Sequence, residues 1–201
     1  MELSKPKNDL EIAQRAIGTM KKTTDFFEFR ENWENYLIRI ERAWALTEHI
    51  LSKQRGFQQW YAPYRNLRKK DSLLIFLRQA RNAEMHCSST TIGKPSKIVI
   101  VDKSGRGFRV NSISGKLEKG VLTINLDSPD ILLNLDFGVA PTNPQVTRFK
   151  VRGKWYNPPW HHLHNRISDL HPVSIAELGL DFYNTYVNEA EHWKENSASL
   201  V

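Results

Sequence analysis

A short run of the chain gathers three side chains that together could handle a phosphate group. Arg81 and Asn82 are adjacent, and His86 follows Asn82 by four positions. On a helix, Asn82 and His86 would share one face, with Arg81 about 100° away around the axis. The guanidinium can neutralise a phosphate and the amide can orient one, while an imidazole can accept or release a proton near neutral pH.

The surrounding sequence predicts a helix from Asp71 to about Ser88 that carries these three residues near its C-terminal end. Asp71 is a suitable N-cap, and Leu73, Leu77 and Ala80 recur at helical spacing as an apolar stripe. Cys87, the only cysteine of the chain, is expected to be a small residue late in this helix.

Three further helices are predicted before the motif helix, over residues 8–22, 26–53 and 57–67. The longest begins after a capping sequence at Thr23–Asp25 and presents an aromatic and aliphatic stripe that must be buried. That stripe comprises Phe29, Trp33, Tyr36, Leu37, Ile40, Ala43, Trp44, Thr47 and Ile50. Short connections between these segments favour an antiparallel bundle over residues 8–90.

The motif Arg81-Asn82-x3-His86, placed on a late helix of such a bundle, resembles the Arg-x4-6-His signature of the HEPN superfamily. The resemblance implies a metal-independent endoribonuclease of the toxin or defence type, with no cofactor. It implies that Arg81, Asn82 and His86 are catalytic, that two copies of the motif meet across a homodimer, and that an antitoxin or another regulatory protein is a partner.

The chemistry agrees with those roles. Cleavage of RNA by its own 2′-OH needs a proton acceptor, a proton donor and a group that stabilises the charged phosphorane. His86 would transfer protons, Arg81 would hold the phosphate, and a second chain would supply a second histidine. The alternatives are structural: Arg81 could pair with Glu84 three residues later, and His86 could stabilise the helix C-terminus.

A second group of cations is predicted to bind nucleic acid. Aromatic and basic residues alternate along residues 57–70, where they could stack bases and hold phosphates, or form a core stripe with a solvated basic edge. The residues assigned to nucleic-acid binding are Arg65, Arg68, Lys69, Lys70 and, one turn before Asn82, Arg78.

After residue 90 the pattern changes to that of strands. Five segments rich in β-branched and apolar residues are predicted to be strands: 97–102, 108–113, 120–126, 131–137 and 146–151. Residues 103–107 are predicted to form a turn. The sequence therefore predicts an α+β fold: a helical bundle (8–90), an antiparallel β elaboration (96–156), and a C-terminal helix (172–196) that packs back on the bundle.

The histidines 161, 162 and 164 form a cluster in a proline-rich, irregular stretch. Clustered histidines can bind a transition metal, but no helix or nearby carboxylate is predicted to arrange them, so no metal site is expected. An alternative is that this loop packs near the motif helix and contributes to substrate contact.

Composition limits the class of protein. The net charge is +7, with +10 on residues 1–153 and −3 on residues 154–201, and the basic part suits a polyanion such as RNA. No apolar run is long enough to span a membrane, the first residues show no signal-peptide pattern, and a single cysteine fits a reducing cytoplasm. The competing function is a non-catalytic HEPN-like module that binds nucleic acid or nucleotide as an adaptor. A third hypothesis is an interaction protein whose basic surface binds nothing specific.

Overall fold

The structure is a computed structural model that describes residues 3–86, 90–102, 112–118, 121–127 and 135–198. The predicted turn at 103–107 and Cys87 lie outside these residues. The chain divides into two compact units, one of residues 1–93 with 144–201 and one of residues 94–143. The first unit holds the helices and the motif residues.

Five helices account for most of the first unit, as the apolar periodicity predicts. They are α1 (Ser4–Lys22), α2 (Phe26–Leu51), α3 (Phe57–Lys70), α4 (Ser72–His86) and α5 (Pro172–Ala198). Asp25 caps α2 by accepting a hydrogen bond of 2.8 Å from the Phe27 amide. Gly56 precedes α3 with a φ of 82°, a conformation that glycine adopts without strain. No helix in the described ranges is long and apolar enough to cross a membrane.

Helix α2 forms the centre of the bundle because its predicted stripe is buried except at Ile50, which is partly buried. Trp33, Tyr36 and Ile40 have no exposed surface. The stripe packs against α1, α4 and α5, so α5 returns to the helices from which it is separated in sequence.

The aromatic residues of α3 belong to this core. Phe57 stacks on Tyr61 with ring centroids 5.0 Å apart, and Trp60 stacks on Trp193 of α5 at 5.5 Å. These contacts favour the core interpretation of α3 over a base-stacking surface.

The strands are short and antiparallel. In chain order they are β1 (Ile92–Gly93), β2 (Ser96–Asp102), β3 (Ser112–Glu118), β4 (Val121–Asp127), β5 (Leu135–Pro141), β6 (Gln145–Val146), β7 (Phe149–Val151), β8 (Lys154–Tyr156), β9 (His161–His162) and β10 (Asn165–Arg166). Within the first unit, β1 pairs with β6, β7 with β8 and β9 with β10. Within residues 94–143, β2 pairs with β5 and β3 with β4. The described chain is thus mostly helical with small antiparallel sheets.

Strands continue to residue 156, but the compact unit of residues 94–143 ends before the predicted β elaboration does. Residues 144–156 belong to the helical unit, whereas the predicted β elaboration extends to residue 156. The strands β8, β9 and β10 occur in or beside a stretch predicted to be irregular. Strands of two or three residues are too short for an alternating pattern to be recognised.

Gly179 allows α5 to approach the bundle closely. A Cβ atom at this position would lie 2.5 Å from Leu77 Cδ1 and closer still to the Tyr36 hydroxyl. Tyr36 and Leu77 have no exposed surface, so either side chain would have to shift within the packed core. We expect Gly179→Ala to destabilise the protein by about 1–3 kcal/mol through overpacking, measured by chemical denaturation.

Gly18→Ala is the matched control, because a Cβ atom there meets nothing within 4 Å. It should stabilise the protein by about 0.5–1 kcal/mol, since alanine is favoured over glycine within a helix. Equal effects of the two substitutions would contradict this packing.

Candidate functional site

The three predicted catalytic residues line one cleft of the helical unit. The cleft has a volume of about 590 Å³ and lies between the C-terminal half of α4 and the β7–β8 hairpin. Its wall consists of Gln79, Arg81, Asn82, His86, Val151, Arg152, Lys154 and Tyr156. The structure therefore brings Arg81, Asn82 and His86 together and adds residues from a distant part of the chain.

On the helix side, neighbouring side chains orient one another. Arg81 Nη1 donates to Asn82 Oδ1 at 3.3 Å, and Asn82 Nδ2 donates to Gln79 Oε1 at 3.4 Å. Asn82 thus positions Arg81, whereas no hydrogen bond joins it to His86. His86 is exposed in the last turn of α4. These bonds are long enough to exchange readily for bonds to a ligand.

Glu84 does not neutralise Arg81. Its carboxylate is buried and accepts hydrogen bonds of 2.6 Å from both the amide and the hydroxyl of Thr91, and it lies 3.5 Å from Arg30. The Arg81 Nε is buried and has no partner in the described chain. The alternative prediction, an ion pair between Arg81 and Glu84, is therefore wrong.

The hairpin docks on α4 through one face. Phe149, 2% exposed, meets Phe76 of α4 edge to face with centroids 5.2 Å apart. The two-residue turn has positive φ at Arg152 (48°) and Gly153 (81°). Two such residues form the type I′ turn that matches strand twist. Arg152 and Lys154 consequently stand at the cleft.

The cleft is cationic. Arg81, Arg152 and Lys154 contribute positive charge, and none of the described residues in its wall is Asp or Glu. Several positive charges in a concave site attract an anion. The planar guanidinium groups of the arginines can each donate two hydrogen bonds to a phosphate.

The N-terminal end of α4 is held by Asp71. Its Oδ1 accepts from the Leu74 amide at 3.1 Å, which is the N-cap bond predicted from the sequence. The same oxygen lies 3.1 Å from His162 Nδ1, and Oδ2 accepts from the Leu163 amide at 2.6 Å. His162 must therefore carry its proton on Nδ1.

The histidine loop packs on the motif helix, as the sequence alternative suggested, but at the opposite end from His86. Ser72 Oγ donates to the His161 carbonyl at 2.6 Å and accepts from the His161 amide at 3.0 Å. His162 is buried, and no residue of the loop lines the cleft. The loop fixes the helix start and does not contact the cleft.

No metal site is found in the part of the chain that the structure describes. No group of three His, Cys, Asp or Glu side chains there could hold an ion.

The other predicted binding residues are dispersed. Arg65, Lys69 and Lys70 are exposed on α3 and do not line the cleft. Arg78 is half-buried on α4, with an Nε that has no partner within the described ranges.

Arg68 requires a correction, because it is 7% exposed and belongs to the core. Its guanidinium contacts Glu41 and lies 4.2 Å from the centroid of the Trp44 ring. Tyr183 donates to the same Glu41 oxygen at 2.9 Å. A buried, paired arginine cannot reach a nucleic acid, so Arg68 stabilises the packing of α2, α3 and α5.

Sequence reasoning missed Arg152, Lys154 and Tyr156. The available signal was Arg152-Gly153 between two short segments rich in aromatic and β-branched residues, a pattern typical of a tight hairpin turn. Sequence alone could not indicate that this hairpin faces α4.

Comparison with protein-family models, curated proteins and solved structures gives no match.

The Asp71 contacts predict a pH dependence of stability. Burial acts to raise the pKa of Asp71, but the hydrogen bonds from His162, Leu163 and Leu74 outweigh it, so the pKa lies below its usual value. A carboxylate with a lowered folded-state pKa stabilises the fold above its unfolded pKa, and this contribution is lost as the pH falls through the folded value.

We therefore expect Asp71→Asn to cost about 1–3 kcal/mol at pH 7, because its amide would face the Leu163 donor. The difference in the free energy of unfolding between Asp71→Asn and wild type should become smaller below about pH 4. Urea denaturation at a series of pH values measures it. Asp25→Asn, which retains an exposed N-cap, is the control at pH 7. A penalty that stays constant down to pH 2 would disagree with this assignment.

Proposed function

We propose that the protein is a metal-independent endoribonuclease of the HEPN type, active as a homodimer. The observation that supports the proposal is the cleft itself. It unites Arg81, Asn82 and His86 with two further cations, and the part of its wall that the structure describes contains no carboxylate. RNA is the phosphate-bearing polymer whose own 2′-OH can act as nucleophile, so the cleft needs no metal to supply one.

Each residue then has a role set by its position. Arg81 and Arg152 would bind the non-bridging oxygens of the scissile phosphate and stabilise the charge that develops in the transition state. Asn82, already bonded to Arg81, would hold that guanidinium in place. His86, which is exposed at the rim of the cleft, would exchange a proton with the attacking or the leaving oxygen.

Among the described residues that line the cleft there is one histidine, whereas the reaction moves two protons. Two chains with their α4 helices adjacent would provide His86 from each, one as base and one as acid. The proposed dimer therefore follows from the proton count as well as from the resemblance. A toxin or defence role, with an antitoxin or other regulator, belongs to the same proposal.

One observation favours a second candidate, a binding module without catalysis. His86 makes no hydrogen bond to any residue within the described ranges, so nothing there fixes its ring for proton transfer. A cationic cleft of this kind would still bind a nucleotide or an RNA strand.

We expect the protein to cleave single-stranded RNA with EDTA present and to leave 2′,3′-cyclic phosphate ends. His86→Ala should lower the rate by about 10²–10⁴-fold, and Arg81→Ala by about 10²–10³-fold. His49→Ala, at an exposed histidine of α2 outside the cleft, should cleave normally. The measurement is a time course resolved by gel, with end groups identified by mass spectrometry.

The outcomes separate the two candidates. The composite site is supported if both cleft variants lose cleavage activity and the His49→Ala control cleaves normally. If the folded wild type binds RNA but leaves it intact, the binding module is correct and catalysis is not.

At position 152 the positive charge can be removed by a substitution that preserves the type I′ turn. Asn-Gly is favoured in type I′ turns, so Arg152→Asn should keep or improve stability. It should weaken RNA binding and lower the slope of log affinity against log salt by about 0.7. Arg55→Asn, at the exposed Arg-Gly sequence before α3, is the matched control and should change neither quantity. An unaltered salt slope in Arg152→Asn would show that Arg152 contacts no phosphate.

A further inference from the structure

The β7–β8 hairpin carries an exposed tryptophan on the face turned away from α4. Trp155 is 55% exposed, although tryptophan is usually largely buried. It is the cross-strand partner of Lys150, so the two side chains share a face. Phe149 and Val151 alternate with Lys150 and are buried on the other face.

Cations surround the Trp155 ring. The Arg148 guanidinium lies 4.9 Å from its centroid and the Lys150 ammonium 5.9 Å. No other aromatic ring stacks on Trp155 among the described residues. The ring is thus an exposed aromatic plate between positive charges.

These cations belong to a row that leads into the cleft. Positions 148, 150, 152 and 154 are all Arg or Lys, and no Asp or Glu occurs between Asp136 and Asp169. Arg148 directly precedes β7, Lys150 lies in β7, Arg152 in the turn and Lys154 at the start of β8. Arg148 and Lys150 flank Trp155, whereas Arg152 and Lys154 line the cleft. The turn at Arg152-Gly153 therefore carries the row from the outer face to the cleft.

We propose that the hairpin is a binding track for single-stranded RNA, in which an unpaired base stacks on Trp155 and the phosphates follow the row of cations into the cleft. The inference rests on the proposed function, since it assigns that cleft a substrate in single-stranded form. Aromatic rings bordered by cations bind single strands because every base offers a stacking face and every linkage a negative charge. A duplex cannot use Trp155, because its bases already stack on each other.

The test measures equilibrium binding of the full-length protein to a short 2′-O-methyl RNA, which cannot be cut by 2′-OH attack. The same sequence is tested single-stranded and as a duplex. Trp155→Ala should weaken single-strand binding by about 5- to 150-fold and leave duplex binding unchanged. Trp155→Phe keeps a stacking face and should restore most of the affinity.

Trp160→Ala is the control, because Trp160 is 69% exposed and lies outside the hairpin. It should bind like wild type. Thermal unfolding of each variant tests whether it is folded. If Trp155→Ala is folded, any loss of RNA affinity is due to the missing ring.

The results distinguish this inference from the proposed function. If Trp155→Ala binds single strands like wild type, if phenylalanine does not restore binding, or if the duplex loses affinity equally, the track is refuted even where cleavage persists. If natural RNA is never cut but single-strand binding depends on Trp155, catalysis is refuted and the track stands. Failure of the wild type to bind any RNA overturns both.

Discussion

The placement of helix α4 is the constraint on which the rest of the cleft depends, and it is fixed at both ends by buried carboxylates. At the first turn, Asp71 joins the helix to the loop at His162 and Leu163. At the last turns, Glu84 binds Thr91, whose hydroxyl also accepts a hydrogen bond of 2.9 Å from the Trp33 indole of α2. Each carboxylate satisfies several buried donors at once, which is the condition under which burial of a charge is tolerated. Between these two points, Phe76 provides the surface on which the hairpin docks.

Two other acidic side chains of the bundle are also held by partners away from the cleft. Asp9 is buried between α1 and α2, where it lies 2.9 Å from Arg39 and 3.3 Å from Arg42. Glu41 is occupied by Arg68 and Tyr183 in the core. Asp9 and Glu41 are thus paired within the bundle and do not line the cleft. The net charge of the sequence understates the local field, because charge is separated by the fold and not only by composition.

Local patterns predicted much of this structure and tertiary contacts decided the remainder. The helix bounds and the Asp71 cap follow from spacing within a few residues, and the common wall formed by Arg81, Asn82 and His86 follows from helix geometry. The opposite wall could not be predicted, because β7 and β8 are three residues each and their docking depends on Phe149 meeting Phe76. Arg68 precedes Lys69 and Lys70 and is equally basic, yet only Arg68 turns inward. Arg68 differs because it pairs with Glu41, a residue on another helix, and no local sequence pattern reveals that partner.

The position of residues 94–143 has an evolutionary consequence. The chain leaves the helical unit after Gly93 and returns at Pro144, and Gly93 is paired directly with Gln145 across β1 and β6. An excursion that starts and finishes at adjacent positions can be lengthened, shortened or exchanged at small entropic cost, since doubling the length of a closed loop costs only about 0.6 kcal/mol. The helices and the hairpin would be unaffected. Residues 94–143 are therefore the segment in which relatives of this chain should diverge most freely in length and sequence, around a bundle whose geometry stays constant.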